Sequence, residues 1–189
     1  MTALFVSARI VALAEIADKT QLLALVLAAR FRKPWPIIAG ILCATVVNHA
    51  LAGSVGAFIS HAVGPQAMRW VLGASFLAMA AWTLIPDELG EQKVDRGRLG
   101  VFGTTVVAFF FVEMGDKTQI ATIALAAKYE ALAAVVVGTT LGMMIANVPA
   151  VLLGSVAAEK LPVRLVHGLA AALFALLGIV VLAGLDLGL

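Results

Sequence analysis

Hydrophobic residues run along this chain in long blocks rather than alternating, and the blocks recur from one end to the other: 3–29, 35–61, 66–86, 101–127, 131–157 and 162–185. Each reaches the roughly 20 residues needed to cross about 30 Å of hydrocarbon. In lipid every backbone N–H and C=O must be satisfied internally, which leaves helices or a closed barrel. Barrel strands alternate apolar and polar residues, whereas these blocks are apolar on all sides. The pattern therefore predicts an all-α, polytopic membrane protein with six transmembrane helices. Pro34-Trp35-Pro36 and Pro162 mark helix starts after short turns. Trp35, Trp70 and Trp82 fall near predicted ends, where indole rings anchor at the interface.

Composition agrees with a bilayer as solvent: 62% of residues are hydrophobic, 13% are charged and the mean hydropathy is +1.06. The net charge of +2 is spread along loops without the basic and aromatic clustering that nucleic-acid binding requires, so no nucleic-acid partner is expected. The single Cys43 excludes an intrachain disulfide and a thiolate zinc site. Ala12-Leu13-Ala14 resembles a processing site, but no basic region precedes the first block and Arg9 interrupts it. Cleavage there would also remove half of a helix whose later counterpart is complete, so the block reads as a span rather than a signal peptide.

Against this apolar background two heptapeptides nearly repeat each other: Glu15-Ile16-Ala17-Asp18-Lys19-Thr20-Gln21 and Glu113-Met114-Gly115-Asp116-Lys117-Thr118-Gln119. The offset of 98 residues also maps Ala28-Ala29 onto Ala126-Ala127 and Gly40 onto Gly138. The register then slips, pairing Asn48 with Asn147 and Gly53-Ser54-Val55 with Gly154-Ser155-Val156. The chain divides into a first three-helix repeat at 1–86, a hydrophilic linker at 87–100 and a second three-helix repeat at 101–189. With three crossings each, the second copy enters the membrane from the opposite side, as in transporters built from inverted repeats with a substrate site near the midplane. Eight basic residues (Arg30, Arg32, Lys33, Lys93, Arg96, Arg98, Lys160 and Arg164) fall on one side, against Arg69 and Lys128 on the other. That asymmetry places the linker in the cytoplasm and both termini outside it, in a bacterial cytoplasmic (inner) membrane.

Ionisable side chains inside a membrane helix cost at least about 2.5 to 3.5 kcal/mol each, so six in two matched clusters imply a polar cavity or an ion site. Spacing of i and i+3 on one helix would aim Glu15 with Asp18, and Glu113 with Asp116, in a common direction. Two-fold pseudosymmetry would bring the pairs face to face. Four carboxylates and two lysines leave a formal −2, which one divalent cation or two protons would neutralise. An exchange cycle follows, because crowded desolvated carboxylates take up protons when the metal leaves and release them when it returns. The candidate ligands are all oxygen donors: Glu15, Asp18, Glu113, Asp116, Thr20, Thr118, Gln21, Gln119, Asn48 and Asn147. Such a set suits Ca2+, Mn2+ or Mg2+ and disfavours Zn2+ or Cu+.

Lys19 and Lys117 are charge-balancing residues. Their i+4 position favours local pairs with Glu15 and Glu113; the alternative is a reach across the cavity, each ammonium standing in for the metal. His49 either relays protons or makes an ordinary hydrogen bond between helices. Met114, Met143 and Met144 read as packing. Gly40, Ala44, Gly53 and Gly56, with Gly138, Gly142 and Gly154, mark close helix approach. His61, His167 and Asp186 carry no site signal.

The doubled heptapeptide resembles the Glu-x-Gly-Asp-Lys-Thr/Ser signature found once in each half of the calcium/cation antiporter-2 family, also called the transmembrane protein 165 family or uncharacterised protein family 0016. The resemblance covers essentially the whole chain. It implies a secondary active transporter of Mn2+ or Ca2+ exchanging against H+ or Na+, of the prokaryotic exporter type, with the cation bound as substrate and no resident cofactor. Glu15, Asp18, Lys19 and Thr20, with Glu113, Asp116, Lys117 and Thr118, match the signature position by position. One departure is Ala17, which stands where the signature and Gly115 have glycine. If that glycine permits a close helix approach, the first half is the looser one.

Other readings make different demands. A lipid-phosphate hydrolase needs Arg or a nucleophilic Ser beside its carboxylates, and neither flanks the motifs. A passive cation channel or small-solute exporter would show no countertransport. A purely structural subunit gives no reason for the same polar residues to recur in both halves. The sequence leaves open whether the unit is a monomer or a homodimer.

Overall fold

The computed structural model describes residues 2–16, 18–85, 99–153 and 163–184. Among these the fold is all-helical: α1 (Thr2–Glu15), α2 (Lys19–Phe31), α3 (Pro34–Ala62), α4 (Pro65–Thr83), α5 (Gly100–Glu113), α6 (Lys117–Tyr129), α7 (Leu132–Leu153) and α8 (Val163–Ala183). Proline opens both α3 and α4, where the missing N–H is one that a first helical turn leaves unpaired anyway. Helices α2 and α6 end alike: Arg32 (φ 52°) and Glu130 (φ 51°) adopt the left-handed conformation and donate their N–H to Ala28 and Ala126, each pair 98 residues apart. The linker expected at 87–100 lies outside the described residues except for its last two positions. Ala17, Pro162, Asp186 and the Gly154-Ser155-Val156 triplet also lie outside them.

The first and fourth predicted spans differ from expectation. Each is two helices rather than one, because the chain breaks inside the heptapeptide between Glu15 and Lys19 and again between Glu113 and Lys117. In the second copy Gly115 takes φ +76°, a conformation that glycine adopts without strain. A Cβ placed on Gly115 would meet nothing within 4 Å. The signature glycine thus turns the backbone here; it does not admit a neighbouring helix. By length and composition, two described helices could each cross a membrane unbroken, Pro34–Ala62 and Leu132–Leu153. Gly100–Glu113 and Gly168–Ala183 are apolar but shorter.

Burial is inverted relative to a water-soluble domain. Large apolar side chains cover the outside, among them Phe58 (74% exposed), Trp35 and Phe111, while Glu15, Asp18, His49, Glu113, Asp116 and Lys117 are fully buried. An apolar exterior of this kind suits contact with lipid or with another apolar surface. Close packing of the interior depends on α3 and α7. Gly40 of α3 lies against Thr105 and the Phe102 carbonyl of α5; Gly138 of α7 lies against Ser7 and the Leu4 carbonyl of α1. Gly138 follows Gly40 by 98 residues, as Thr105 follows Ser7 and Phe102 follows Leu4, so one contact is made twice with the halves exchanged. Gly56 meets the Ile123 carbonyl and Gly142 the Ala8 carbonyl, which leaves no room for a side chain. Phe76 of α4 stacks on Phe174 of α8, with 6.5 Å between ring centres.

Candidate metal centre

Both heptapeptides place their acids at helix ends, and this decides how each is stabilised. Glu15 and Glu113 are the last residues of α1 and α5; Asp18 and Asp116 are the N-caps of α2 and α6, with extended backbones (φ −83° and −80°). Each aspartate N–H closes the break by donating to the glutamate carbonyl three residues earlier, at 3.1 Å in both copies. A helix N-terminus carries about half a positive charge and a C-terminus about half a negative one. The aspartates therefore sit where an anion is favoured and the glutamates where it is not. Two carboxylates on one face of a continuous helix, the arrangement expected from i, i+3 spacing, is replaced by two carboxylates across a break.

The lysines add to the difference. Lys19 Nζ lies 2.8 Å from Asp116 Oδ1, and Lys117 Nζ lies 2.9 Å from Asp18 Oδ1. Each ion pair crosses from one half to the other, so the structure takes the reach-across arrangement, with the ammonium on an aspartate of the opposite copy. The asymmetry between them is one of burial: the Lys19 side chain is 22% exposed, while Lys117, Asp18 and Asp116 are at 0%. Two charges being offset in this way, the formal −2 of the cluster falls on Glu15 and Glu113.

One ligating oxygen from each of Glu15, Glu113 and Asp116 lies within 4.8 Å of the others. Thr20 donates its hydroxyl proton to Glu15 Oε2, and Thr118 donates to Glu113 Oε2 (3.3 Å) and Asp116 Oδ2 (3.2 Å). The second oxygens, Glu15 Oε1 and Glu113 Oε1, are buried without a hydrogen-bond partner among the described residues. Leaving a buried polar atom unsatisfied costs about 1–3 kcal/mol, and more when it is charged. A divalent cation between the glutamates would offset that cost, and so would two protons.

Asn and Gln side chains frame the cluster unequally. Gln119 donates through Nε2 to Asn48 Oδ1, and its Oε1 accepts from the Gly115 N–H at 2.8 Å. Asn48 in turn donates to the Phe110 carbonyl at 3.4 Å. In the other half Gln21 donates to the Ala146 carbonyl (2.9 Å), and Asn147 turns back on its own helix, donating to the Met143 carbonyl (3.1 Å) and thioether (2.9 Å). The structure thus ties Asn48 to the heptapeptide through Gln119 and gives Asn147 no such tie among the described residues. Met114 is 54% exposed and Met143 packs within the core. His49 has Nε2 4.0 Å from Glu113 Oε2; its position beside Asn48 on a helix was the only signal for it in the sequence.

Comparison with known proteins matches the chain to the family described as divalent cation/proton antiporter GDT1, over residues 3–91 and 101–186. A protein of Vibrio cholerae named "Putative manganese exporter" is 52% identical over 181 residues, covering 95% of this chain and 90% of its own length. GDT1-like protein sll0615 of Synechocystis is 30% identical, covering 93% and 95% respectively. GDT1-like protein 3 of Oryza sativa is 29% identical, covering 91% of this chain and 70% of its own. No solved structure matches the chain.

Proposed function

Because the chain belongs to the GDT1 family of divalent cation/proton antiporters, integral membrane transporters and not enzymes, we propose that it carries Mn2+, and Ca2+ as a second substrate, at the cluster centred on Glu15 and Glu113. The observation that carries this reading is the convergence of buried acidic oxygens from both heptapeptides within 4.8 Å, with the aspartates already offset by lysines. The cation binds between the glutamates, with Asp116 and the threonine hydroxyls beside it and Asn48, Gln21 and Gln119 holding the frame. Asn147 has no tie to either heptapeptide among the described residues: its amide N–H goes to Met143, and its Oδ1 is buried without a hydrogen-bond partner.

Exchange follows from charge. A cluster with two uncompensated carboxylates is neutral with one divalent cation or with two protons, and loading either expels the other. H+ is the counter-ion in this scheme, with Na+ as the alternative. The two halves, 1–86 and 101–189, act as inverted repeats of three spans each, the first and fourth spans being discontinuous helices whose broken ends meet at the midplane. Rocking of one half against the other opens the site to each side in turn. The 87–100 linker is cytoplasmic and both termini lie outside the bacterial inner membrane. The Vibrio relative's name supports export of manganese.

Sealed vesicles containing the purified protein test this directly. Adding Mn2+ or Ca2+ drives protons the opposite way, and Glu113→Gln abolishes both fluxes while the protein still inserts. Cation flux without countertransport, under clamped pH and across a Na+ gradient, would make it a channel; normal flux in Glu113→Gln would refute the assigned site.

A further inference from the structure

The geometry points to His49 Nε2 as a nitrogen ligand of the transported ion, the residue that makes the site prefer Mn2+ over Ca2+ and Mg2+. This rests on the glutamate cluster being the cation site. His49 is fully buried on α3, and neither of its ring nitrogens has a hydrogen-bond partner among the described residues. A buried imidazole left without partners costs about 1–3 kcal/mol for each unsatisfied group, so its place beside the cluster calls for a ligand. Its Nε2 stands 4.0 Å from Glu113 Oε2. That is too long for a hydrogen bond, which spans about 2.7–3.2 Å. It does fit two atoms sharing one ion, since metal–ligand bonds of about 2.1–2.4 Å hold neighbouring or opposed ligands roughly 3 to 4.8 Å apart. The set whose ligating atoms all lie within 4.8 Å of one another is Glu15, Glu113 and Asp116, so His49 reaches the ion from beside Glu113 and not as a fourth member of that set.

The remaining donors are oxygens, which separate Mn2+ from Ca2+ or Mg2+ only through cavity size and ligand number. Ca2+ and Mg2+ take oxygen ligands almost exclusively, whereas imidazole nitrogen binds first-row transition ions, Mn2+ less strongly than Fe2+ or Zn2+ but more readily than either Ca2+ or Mg2+. One nitrogen added to an oxygen set therefore biases it toward Mn2+. The register that pairs Asn48 with Asn147 places Val148 opposite His49, so only the first half supplies such a donor. Selectivity is then an asymmetric feature superimposed on a repeated site.

The test uses the full chain in lipid nanodiscs with Mn2+ alone as probe. Pulsed electron paramagnetic resonance of bound Mn2+ should show echo modulation from a directly bonded nitrogen, which changes when the protein is grown with 15N-histidine and disappears in His49→Gln. In the same variant the ratio of Ca2+ to Mn2+ dissociation constants should fall by about tenfold or more, 1.4 kcal/mol per factor of ten. An echo in the wild-type protein that does not respond to the histidine label overturns the proposal without reliance on any variant, and so does an unchanged ratio in His49→Gln. If Glu113→Gln still loses Mn2+ binding in those cases, the cation site stands and only the histidine ligand falls. Undiminished Mn2+ binding in Glu113→Gln overturns both.

Discussion

The two cross-half ion pairs have the same chemistry and different burial, which makes a quantitative forecast possible. Lys117→Met removes the 2.9 Å partner of Asp18 at a place where neither side chain has any exposure. Breaking a buried pair from one side costs about 3–5 kcal/mol, because the remaining charge has lost its offset in a dry environment. Asp18→Asn exposes Lys117 to the same penalty. The double variant removes both charges and regains most of the loss, so the coupling energy of the cycle should be about 3 kcal/mol or more. For Lys19 and Asp116 the lysine is 22% exposed and can turn toward solvent, so coupling of about 1 kcal/mol is expected, near the upper end for exposed pairs. Equilibrium unfolding in detergent, with chelator present so that no cation contributes, measures both cycles. A third cycle on Glu15 and Lys19 serves as a control for the local i, i+4 pair. Equal coupling in the first two cycles, or coupling below about 0.5 kcal/mol for Asp18 with Lys117, would refute the reasoning, since that is the scatter of independent sites. So would a Glu15–Lys19 coupling larger than either.

Two further outcomes follow from the site's frame. Gly115→Ala puts a side chain at φ +76° with open space around it, so it should destabilise by about 1–2 kcal/mol through backbone strain alone; a thermal unfolding curve checks this, and a loss near zero would contradict the turn. Asn48→Ala removes the acceptor of Gln119, whereas Asn147→Ala removes only contacts to its own helix. Mn2+ affinity, measured by titration calorimetry, should fall in the first by about tenfold, 1.4 kcal/mol, and by much less in the second; equal losses would mean that Asn147 serves the cation as directly as Asn48 supports the frame.

The helical class and the doubled motif were legible because both are written in local pattern: long apolar blocks, and a seven-residue string too polar for its surroundings. The helix break was legible in principle. Asp18 and Asp116 precede Lys-Thr-Gln as N-caps precede a first turn, and Gly115 stands where a helix stops. Uniform hydrophobicity on either side masked those signals, since a run apolar on every face gives no periodicity from which to read a boundary. The lysine partners were not legible. Spacing of i, i+4 supplies a local partner for any such lysine, and only the tertiary arrangement of the halves reveals a stronger one on the other copy. The unequal hydrogen bonding of Asn48 and Asn147 was hidden for a related reason: a repeat in sequence implies equal environments, and here one amide N–H turns to its own helix while the other asparagine is tied to Gln119. His49 lacks a counterpart in the second half, so the repeat adds nothing to separate a proton relay from an ordinary hydrogen bond at that position.

Whether the two glutamates share one ion is decided by the position of that ion, from anomalous scattering at the manganese edge in crystals grown with Mn2+. One strong peak per chain is expected, within about 2.1–2.4 Å of carboxylate oxygens from both Glu15 and Glu113. A peak held by one heptapeptide alone, or lying away from both glutamates, would contradict it.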